Sequence, residues 1–239
     1  MRIVTIIQAR MGSSRLPGKV LKPILEKPIL AYQVERVKQA NLIDEIVIAT
    51  STKTQDDPII TWCNTNNILF YRGEEEDVLG RYYEAAKKFS ADAIVRLTGD
   101  CPIIDPKVIE LVISSFLAGS VTYASNTIHR TYPRGMDTEI FTMESLEEAH
   151  LNARLSFERE HVTPYIRNHY PTLSIKNNID HSNHRWTIDT LEDFNLIQQI
   201  IKKLYPIKPA FSMEDVIKLL EENPSWMLLN HHIKQKDVY

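Results

Sequence analysis

Apolar runs and helically spaced apolar positions alternate through the first half of the chain. Residues 3–7 (IVTII) form a continuous apolar run that is typical of a buried strand, whereas Ile29, Val34 and Val37 recur at helical spacing. The same alternation continues to residue 117. The predicted strands are 3–7, 45–50, 68–71 and 93–97, and the predicted helices are 29–40, 58–66, 77–89 and 106–117. This order predicts an α/β fold, in which helices flank both faces of a mostly parallel twisted sheet.

The second half of the chain is less regular. Its pattern predicts strands at 121–124, 138–142 and 186–188, and helices at 144–152, 157–168, 191–204 and 213–222. Neither an internal repeat nor an interdomain linker is evident. We therefore expect one domain over residues 1–239, made of a first half (1–120) and a smaller α+β part with C-terminal helices (121–239). The tail from residue 223 is polar enough for us to expect that it is partly loose.

Composition narrows the class of protein. The chain has 239 residues, of which 43% are hydrophobic, which is enough to bury a substantial core. A formal net charge of -3 gives no reason to expect nonspecific binding to nucleic acid or to a membrane surface. The two cysteines, Cys63 and Cys101, are far apart, and the first apolar run is too short for a signal peptide. We expect a soluble, cytoplasmic protein.

Ligands of open parallel sheets bind beyond the carboxyl ends of the strands. This rule selects three loops, at residues 8–19, 50–56 and 98–105. The first loop concentrates Arg10, Arg15 and Lys19 with two glycines and two serines. Glycines let backbone N–H groups approach an anion, and arginines bind phosphate oxygens through paired hydrogen bonds. We interpret the loop as a phosphate site, the alternative being a solvated basic turn; its spacing fits neither a Walker motif nor a dinucleotide fingerprint.

Two aspartates complete the candidate chemistry. Asp100 follows the predicted strand 93–97, and Asp189 precedes the helix predicted at 191–204. Mg²⁺ prefers one or two carboxylates together with phosphate oxygens and water, so Asp100 and Asp189 could share a metal beside a triphosphate. The alternatives are that Asp189 or Thr190 caps the following helix and that Asp100 belongs to a turn.

Several segments together resemble the sugar-acid cytidylyltransferases, which include the synthetases of CMP-KDO and CMP-sialic acids. The opening IIQARMGSSRLPGK (6–19), VIAT (47–50), GDCP (99–102) and IDTLED (188–193) follow the order of that family's motifs. The branch named after the spore coat polysaccharide biosynthesis protein SpsF is more similar. It shares DVLGRYY (77–83), RLTGDCP (96–102), YPRGMDTE (132–139) and EREHVTPY (158–165).

The resemblance implies a Rossmann-like, glycosyltransferase-A-like nucleotidyltransferase fold, the substrate CTP, a Mg²⁺ cofactor, pyrophosphate release and a homodimer. It implies catalytic roles for Lys19, Arg10 and Arg15, and metal binding by Asp100 and Asp189. The implied nucleotide-binding residues are Gln8, Ala9, Arg10, Gly12, Ser13, Arg15, Lys19, Ala49, Thr50, Ser51, Arg81, Thr98 and Gly99.

The acceptor site is expected in the second half of the chain. The residues that we assign to it are Arg134, Asp137, Glu139, Arg159 and His161. The arginines suit an anionic group and the carboxylates suit hydroxyls or an amine, and alternation along a strand puts Asp137 and Glu139 on one face. The alternatives are a surface ion-pair cluster and, for His161, a helix histidine with its hydrogen bonds satisfied. The family's Gln-Gly-Asp-Glu-Pro is Thr98-Gly99-Asp100-Cys101-Pro102 here, which leaves the acceptor open.

Three functions remain at this point. The first is transfer of CMP from CTP to a sugar acid or another small anionic acceptor during polysaccharide synthesis. The second is a glycosyltransferase that uses a nucleotide sugar, and the third is a noncatalytic nucleotide-binding protein. The three cations of the first loop favour a triphosphate over a nucleotide sugar.

Overall fold

The computed structural model describes residues 1–235. In the first half, β1 (Ile3–Gln8), β2 (Pro23–Ile24) and β3 (Lys27–Pro28) lead into α1 (Ile29–Val37). The elements that follow are β4 (Glu45–Ser51), α2 (Asp57–Thr65), β5 (Leu69–Gly73), α3 (Val78–Lys88), β6 (Ala93–Thr98) and α4 (Pro106–Ala118). Every strand and helix predicted before residue 120 is present, with bounds that differ by a few residues.

The second half contributes shorter elements. Its strands are β7 (Tyr123–Ser125), β8 (Glu139–Thr142) and β9 (Thr172–Ser174). Its helices are α5 (Met143–Asn152), α6 (Ser156–His161), α7 (Pro164–His169), α8 (Leu191–Leu204), α9 (Met213–Glu222) and α10 (Pro224–Met227). No helix in residues 1–235 is long and apolar enough to cross a membrane.

One seven-stranded sheet joins both halves of the described chain, in the order β5-β4-β1-β6-β8-β7-β9. Strands β5, β4, β1 and β6 are parallel, β8 is antiparallel to both β6 and β7, and β9 is parallel to β7. Only β8 therefore runs against the others, which confirms the mostly parallel sheet. The carboxyl ends of β1, β4 and β6 meet at one edge, where the three selected loops begin.

Both faces of the sheet are buried, which explains the continuous apolar runs of its strands. Ile7 belongs to the core on the face covered by α1, α4 and α8, whereas Ile6 belongs to the core on the face covered by α3 and α5. Each of these side chains is fully buried, and burial of one isoleucine contributes about 1.5–3 kcal/mol. Packing on both faces therefore fixes the position of β1, and with it the point at which the loop after Gln8 begins.

Two predictions for the second half are wrong. The single helix at 157–168 is two helices, because Val162 has a φ of 69° and Pro164 starts a new one. No strand forms at 186–188, and the isolated bridge beside it joins Arg134 to Arg185. The short strands β2, β3 and β9 and helix α10 were not predicted.

The tail is also more ordered than we expected. Asn230 is buried, and its amide donates to the Arg185 carbonyl at 2.9 Å and to Asp193 at 2.8 Å. Arg185 donates to the Gln235 side chain at 2.6 Å. Asn230 and Gln235 therefore hold this part of the tail near Arg185 and Asp193, and the remainder of the predicted loose tail, 236–239, lies outside the described residues.

Candidate active site

Lys19 lies between the two predicted aspartates at the carboxyl edge of the sheet. Gly18 has a φ of 70°, which suits glycine, and it begins the 3-10 turn Lys19–Leu21. The Lys19 Nζ lies 2.8 Å from Asp100 Oδ2, 2.8 Å from Asp189 Oδ1 and 2.6 Å from the Ile188 carbonyl. Three segments that are distant in sequence thus meet on one buried ammonium group.

The two aspartates are oriented by their own neighbours. Asp100 accepts a hydrogen bond from the Thr98 hydroxyl at 2.7 Å. Asp189 contacts Arg15 at 3.0 Å and Arg185 at 2.7 Å in addition to Lys19. Helix α8 is capped by Thr190, whose side chain accepts from the Asp193 N–H, so Asp189 is free of the capping role.

Charge pairing outweighs burial in this cluster. Burial alone lowers the pKa of Lys19, but the charges of Asp100 and Asp189 and their hydrogen bonds raise it overall. Burial alone raises the pKa of Asp189, but the charge and hydrogen bond of Lys19 and then the charge of Arg15 lower it overall. Lys19 is therefore a cation and Asp189 an anion at neutral pH.

An aspartate that sequence reasoning missed holds the first loop in place. Asp56 is fully buried and accepts from the Met11 N–H at 2.7 Å and from the Ser51 hydroxyl at 2.5 Å. Met11 in turn accepts from the Gly18 N–H at 2.9 Å. Asp56 therefore ties the loop that carries Lys19 to the end of β4. The only sequence signal was its place in the selected loop 50–56.

The other predicted nucleotide-binding residues surround this loop. Arg10 is half exposed, with 51% of its side chain accessible, and lies 3.6 Å from Glu75. Arg81 is buried and donates to the Glu74 carbonyl at 3.2 Å. The Leu16 N–H donates to the Ser13 hydroxyl at 3.4 Å. Backbone bonds join the remaining strand ends, since Ala9 donates to Ala49 and Gly99 donates to Gln8.

Three predicted residues face the interior rather than the loop. Ala49, Thr50 and Ser51 are fully buried at the end of β4. The Thr50 hydroxyl has no hydrogen-bond partner in the described part of the chain. Gly12 has little free space beside it, because a Cβ there would lie 2.9 Å from the Gln55 amide. These positions shape the loop and its support.

Two adjoining cavities open beside the Lys19 cluster. The first, here the β1 cavity, has a volume of about 420 Å³ and is lined by Gln8, Ala9, Arg10, Glu75, Glu76, Val78, Arg81, Ser156, Arg159, Glu160 and His161. The second, here the aspartate cavity, has a volume of about 400 Å³. It is lined by Arg15, Thr98, Asp100, Cys101, Arg134, Gly135, Asp137, Glu160, His161, Thr187, Asp189 and Gln235. The cavities share Glu160 and His161.

Four of the five predicted acceptor residues line one of these cavities, but their partners differ. Asp137 accepts two hydrogen bonds from Arg130, at 2.5 and 2.9 Å. Asp137 lies outside β8, so the expected shared strand face with Glu139, which pairs with Arg96 at 3.2 Å, does not form. Arg159 makes two hydrogen bonds to Asp77, at 2.9 and 2.5 Å.

Arg134 differs from the other candidate arginines. No carboxylate within residues 1–235 pairs with it, and burial together with Arg130 lowers its pKa. Gly135 follows with a φ of 104°, and a Cβ there would lie 2.7 Å from the Trp186 carbonyl carbon, so only glycine fits. This close approach holds Arg134 at the wall between β8 and the 185–189 segment. His161 is half-buried, and burial lowers its pKa, so it is neutral at pH 7.

The donor set at Lys19 fits a hard divalent cation only in part. Asp100 and Asp189 supply carboxylate oxygens, the ligands that Mg²⁺ prefers. No cluster of three or more histidine, cysteine, aspartate or glutamate ligands exists in the described part of the chain. Two carboxylates suit Mg²⁺ when substrate phosphates and water complete the coordination, and both already approach one cation, the Lys19 ammonium.

A mostly parallel sheet with a basic loop and paired aspartates at its carboxyl edge is typical of a nucleotidyltransferase. A model of the cytidylyltransferase family matches residues 4–238, and the chain belongs to that family. The spore coat polysaccharide biosynthesis protein SpsF of Bacillus subtilis is 37% identical over 234 residues, which cover 93% of this chain and 95% of SpsF.

Of two further relatives, one matches nearly the whole chain and the other matches about half of it. A cytidylyltransferase structure from Leptospira borgpetersenii has 37% identity and a TM-score of 0.91, and the match covers 98% of this chain and 100% of that one. The 3-deoxy-manno-octulosonate cytidylyltransferase of Geobacter metallireducens is 32% identical over 118 residues. That match covers 49% of this chain and 46% of the relative. The resemblance found in the motifs is thus confirmed, including its SpsF branch.

Proposed function

We propose that this protein transfers CMP from CTP to a sugar acid or another small anionic acceptor, with release of pyrophosphate, in the synthesis of a surface polysaccharide. The observation that carries the proposal is the convergence of Lys19, Arg15, Asp100 and Asp189 at the aspartate cavity. Membership of the cytidylyltransferase family supports this function over a glycosyltransferase or a noncatalytic binding protein.

The β1 cavity suits the nucleoside and the aspartate cavity suits the acceptor. The first loop runs from Gln8 in the β1 cavity to Lys19 beside the two aspartates, so a nucleotide along it would present its phosphates to Arg10, Arg15 and Lys19. Arg134 has no carboxylate partner in residues 1–235 and lines the aspartate cavity, where it would bind the anionic group of the acceptor.

In the proposed reaction an acceptor oxygen attacks the α-phosphorus of CTP, a bond to CMP forms and the bond to pyrophosphate breaks. Lys19 and Arg15 stabilise the negative charge that develops on the phosphates. An acceptor carboxylate or acidic hydroxyl requires little base catalysis, so positioning by the two cavity walls supplies much of the rate. The neutral His161 lies at the junction of both cavities and would accept a proton there if the acceptor is a hydroxyl.

We also propose that Asp100 and Asp189 hold Mg²⁺ together with the triphosphate. The bound ion would neutralise phosphate charge and orient the α-phosphate. Lys19 would exchange its carboxylate partners for phosphate oxygens, so that the ammonium group would stay paired with an anion.

The finer proposals concern location and assembly. Both cysteines are buried free thiols, which suits the reducing cytoplasm. The family resemblance supports a homodimer. Analytical ultracentrifugation checks the assembly: a single species at twice the chain mass of 27.6 kDa supports it, and a monomer contradicts it.

Pyrophosphate release tests the function. Each nucleoside triphosphate is combined with Mg²⁺ and a panel of ulosonic and nonulosonic acids, sugar phosphates and phosphonate alcohols. We expect release that requires both CTP and one acceptor class and that is lost in Asp100→Ala. Turnover of nucleotide sugars by a protein that neither binds nor uses CTP would overturn the proposal in favour of a glycosyltransferase.

A further inference from the structure

A carboxamide in the β1 cavity is held by a buried ion pair. Arg96 Nη2 donates to Gln8 Oε1 at 3.3 Å, and Arg96 Nη1 donates to Glu139 Oε2 at 3.2 Å. The arginine and glutamate side chains are only 14% and 11% exposed. The Arg96 guanidinium also lies over the Tyr82 ring, 5.9 Å from its centre. Arg96 is therefore fixed, and it fixes Gln8.

This contact decides which end of the Gln8 amide faces the cavity. A guanidinium has five N–H donors and no acceptor, so the group facing Arg96 must be the Gln8 oxygen. The amino group then points away from Arg96. No hydrogen bond to this amino group exists among residues 1–235. The β1 cavity thus contains a preset pair of N–H donors without a protein partner.

The lining of the same cavity also includes acceptors, beside the guanidinium groups of Arg10, Arg81 and Arg159. Glu76 and Glu160 are exposed carboxylates that form no ion pair within the described residues. Donors on the sheet and acceptors in the lining match the edge of cytosine, which has acceptors at N3 and O2 and an amino donor at N4. Uracil has a donor at N3 and an acceptor at position 4, so it would oppose both groups.

We propose that the Gln8 carboxamide, oriented by the Arg96–Glu139 pair, selects the cytosine base of the nucleotide. The inference rests on the proposed function, because it assigns the β1 cavity to the nucleoside. Gln8 is then a specificity-determining residue that contacts the base, and Arg96 is a positioning residue that acts through Gln8.

Equilibrium binding of CMP and UMP tests the role of Gln8. We expect the wild type to bind CMP more tightly than UMP. Gln8→Glu replaces the donors with a carboxylate, which opposes cytosine N3 and accepts from uracil N3–H, so the ratio of the two dissociation constants should fall about tenfold or reverse. Binding of ribose 5-phosphate, which lacks a base, measures the general effect of the added charge, and this effect cancels in the ratio of CMP to UMP. Gln39→Glu, the same change on the exposed surface of the segment after α1, should leave the ratio unchanged.

The positioning role of Arg96 has its own test. Arg96→Met combined with Glu139→Gln removes the fixed partner of Gln8 without leaving a lone buried charge. We expect the preference for CMP to shrink while ribose 5-phosphate still binds normally. Arg96→Lys, which retains a donor, should keep more of the preference than the double variant.

The outcomes separate this inference from the function on which it rests. If the wild type prefers CMP and neither Gln8→Glu nor Gln8→Met changes the ratio, the base is selected elsewhere and the inference is wrong. Gln8→Met, which removes both N–H donors without adding a charge, replaces Gln8→Glu in the binding test if the glutamate variant does not fold. If the wild type binds no cytidine nucleotide at all, the proposed function itself is overturned.

Discussion

Two groups of charged residues in this protein differ in the number of opposite charges that each residue contacts. Arg159 and Asp77 form a one-to-one pair with two hydrogen bonds, and Asp77 also caps α3 through the Gly80 N–H at 2.9 Å. In the other group, Lys19 contacts two carboxylates, and Asp189 contacts three cations.

The difference distinguishes a structural ion pair from the cluster that we propose as the reactive centre. A one-to-one pair has no second partner to exchange, so it fastens α6 to the start of α3. A shared cluster can exchange one partner for another at small cost, because every charge keeps at least one opposite charge nearby. In the proposed reaction, incoming phosphates would therefore replace carboxylates at Lys19, whereas Arg159 would stay with Asp77.

The largest expected effect is the loss of Lys19. Lys19→Met removes the cation that stabilises phosphate charge, and we expect kcat to fall roughly 10²–10³-fold with the acceptor that the panel identifies. Steady-state kinetics measures this loss. Lys38→Met, an exposed lysine after α1, is the matched control and should retain full activity. Normal turnover by Lys19→Met would show that the cluster is no more reactive than the Arg159–Asp77 pair.

The next effect tests the structural ion pair. Asp77→Ala removes the cap of α3 and the partner of Arg159, and we expect the free energy of unfolding to fall by about 1–2 kcal/mol. The folded enzyme should keep its turnover. Urea denaturation and kinetics measure the two quantities, and Asp57→Ala, which breaks an exposed pair with Arg72, should cost less. A loss of activity without a loss of stability would move the pair into the reactive centre.

A smaller effect on stability and turnover is expected at the N-terminus of α8, next to Asp189. Thr190→Ala and Ser212→Ala each remove a capping box, and each should cost about 1 kcal/mol of stability. Only Thr190→Ala should also lower turnover, and by less than Lys19→Met does, because Thr190 holds Asp193, whose carboxylate accepts from the Asp189 N–H at 3.0 Å. Equal activity of the two variants would mean that the cap and the cluster are independent.

The smallest expected effect is a pH dependence of the contribution that Asp189 makes to the free energy of unfolding. Its folded pKa is lowered, so the stability that it contributes is present above the unfolded value of about 3.9 and is lost as pH falls through the folded value. The difference in unfolding free energy between the wild type and Asp189→Asn should therefore shrink as pH drops below about 4. Urea titrations across this range measure it. Glu222→Gln, on the exposed face of α9, tests whether loss of one charge alone gives the same trend.

The sequence predicted the parallel half of the fold because its strands are buried on both faces and read as apolar runs. Residues 3–7 and 93–97 carry this signal, and the loops that follow them contain Lys19 and Asp100. The break at Val162 was missed although Pro164 marks it, since the apolar spacing continues across both helices. The β2–β3 hairpin turns through Leu25 and Glu26 with φ values of 47° and 64°, and neither residue type signals such a turn.

The candidate site was predictable by residue type but not by partner. Nothing in the spacing indicates that Asp56 supports the first loop, that Arg185 pairs with Asp189, or that Arg96 orients Gln8. The Asp56 and Arg96 contacts join segments more than forty residues apart, and the Arg185–Asp189 contact lies in a segment without helix or strand, where spacing predicts no pairing. Arg159 illustrates the limit: its motif resembles the family, but the fold pairs it with Asp77.

Binding of CTP in the presence and absence of Mg²⁺ tests the central claim most directly, since it needs no acceptor. Calorimetry would compare the wild type with Asp100→Asn and Asp189→Asn. We predict that the wild type binds Mg²⁺–CTP, that EDTA weakens this binding, and that both variants lose most of the effect of Mg²⁺. Equal binding of CTP by all three proteins, with or without Mg²⁺, would contradict the assignment of Lys19, Asp100 and Asp189 as the reactive centre.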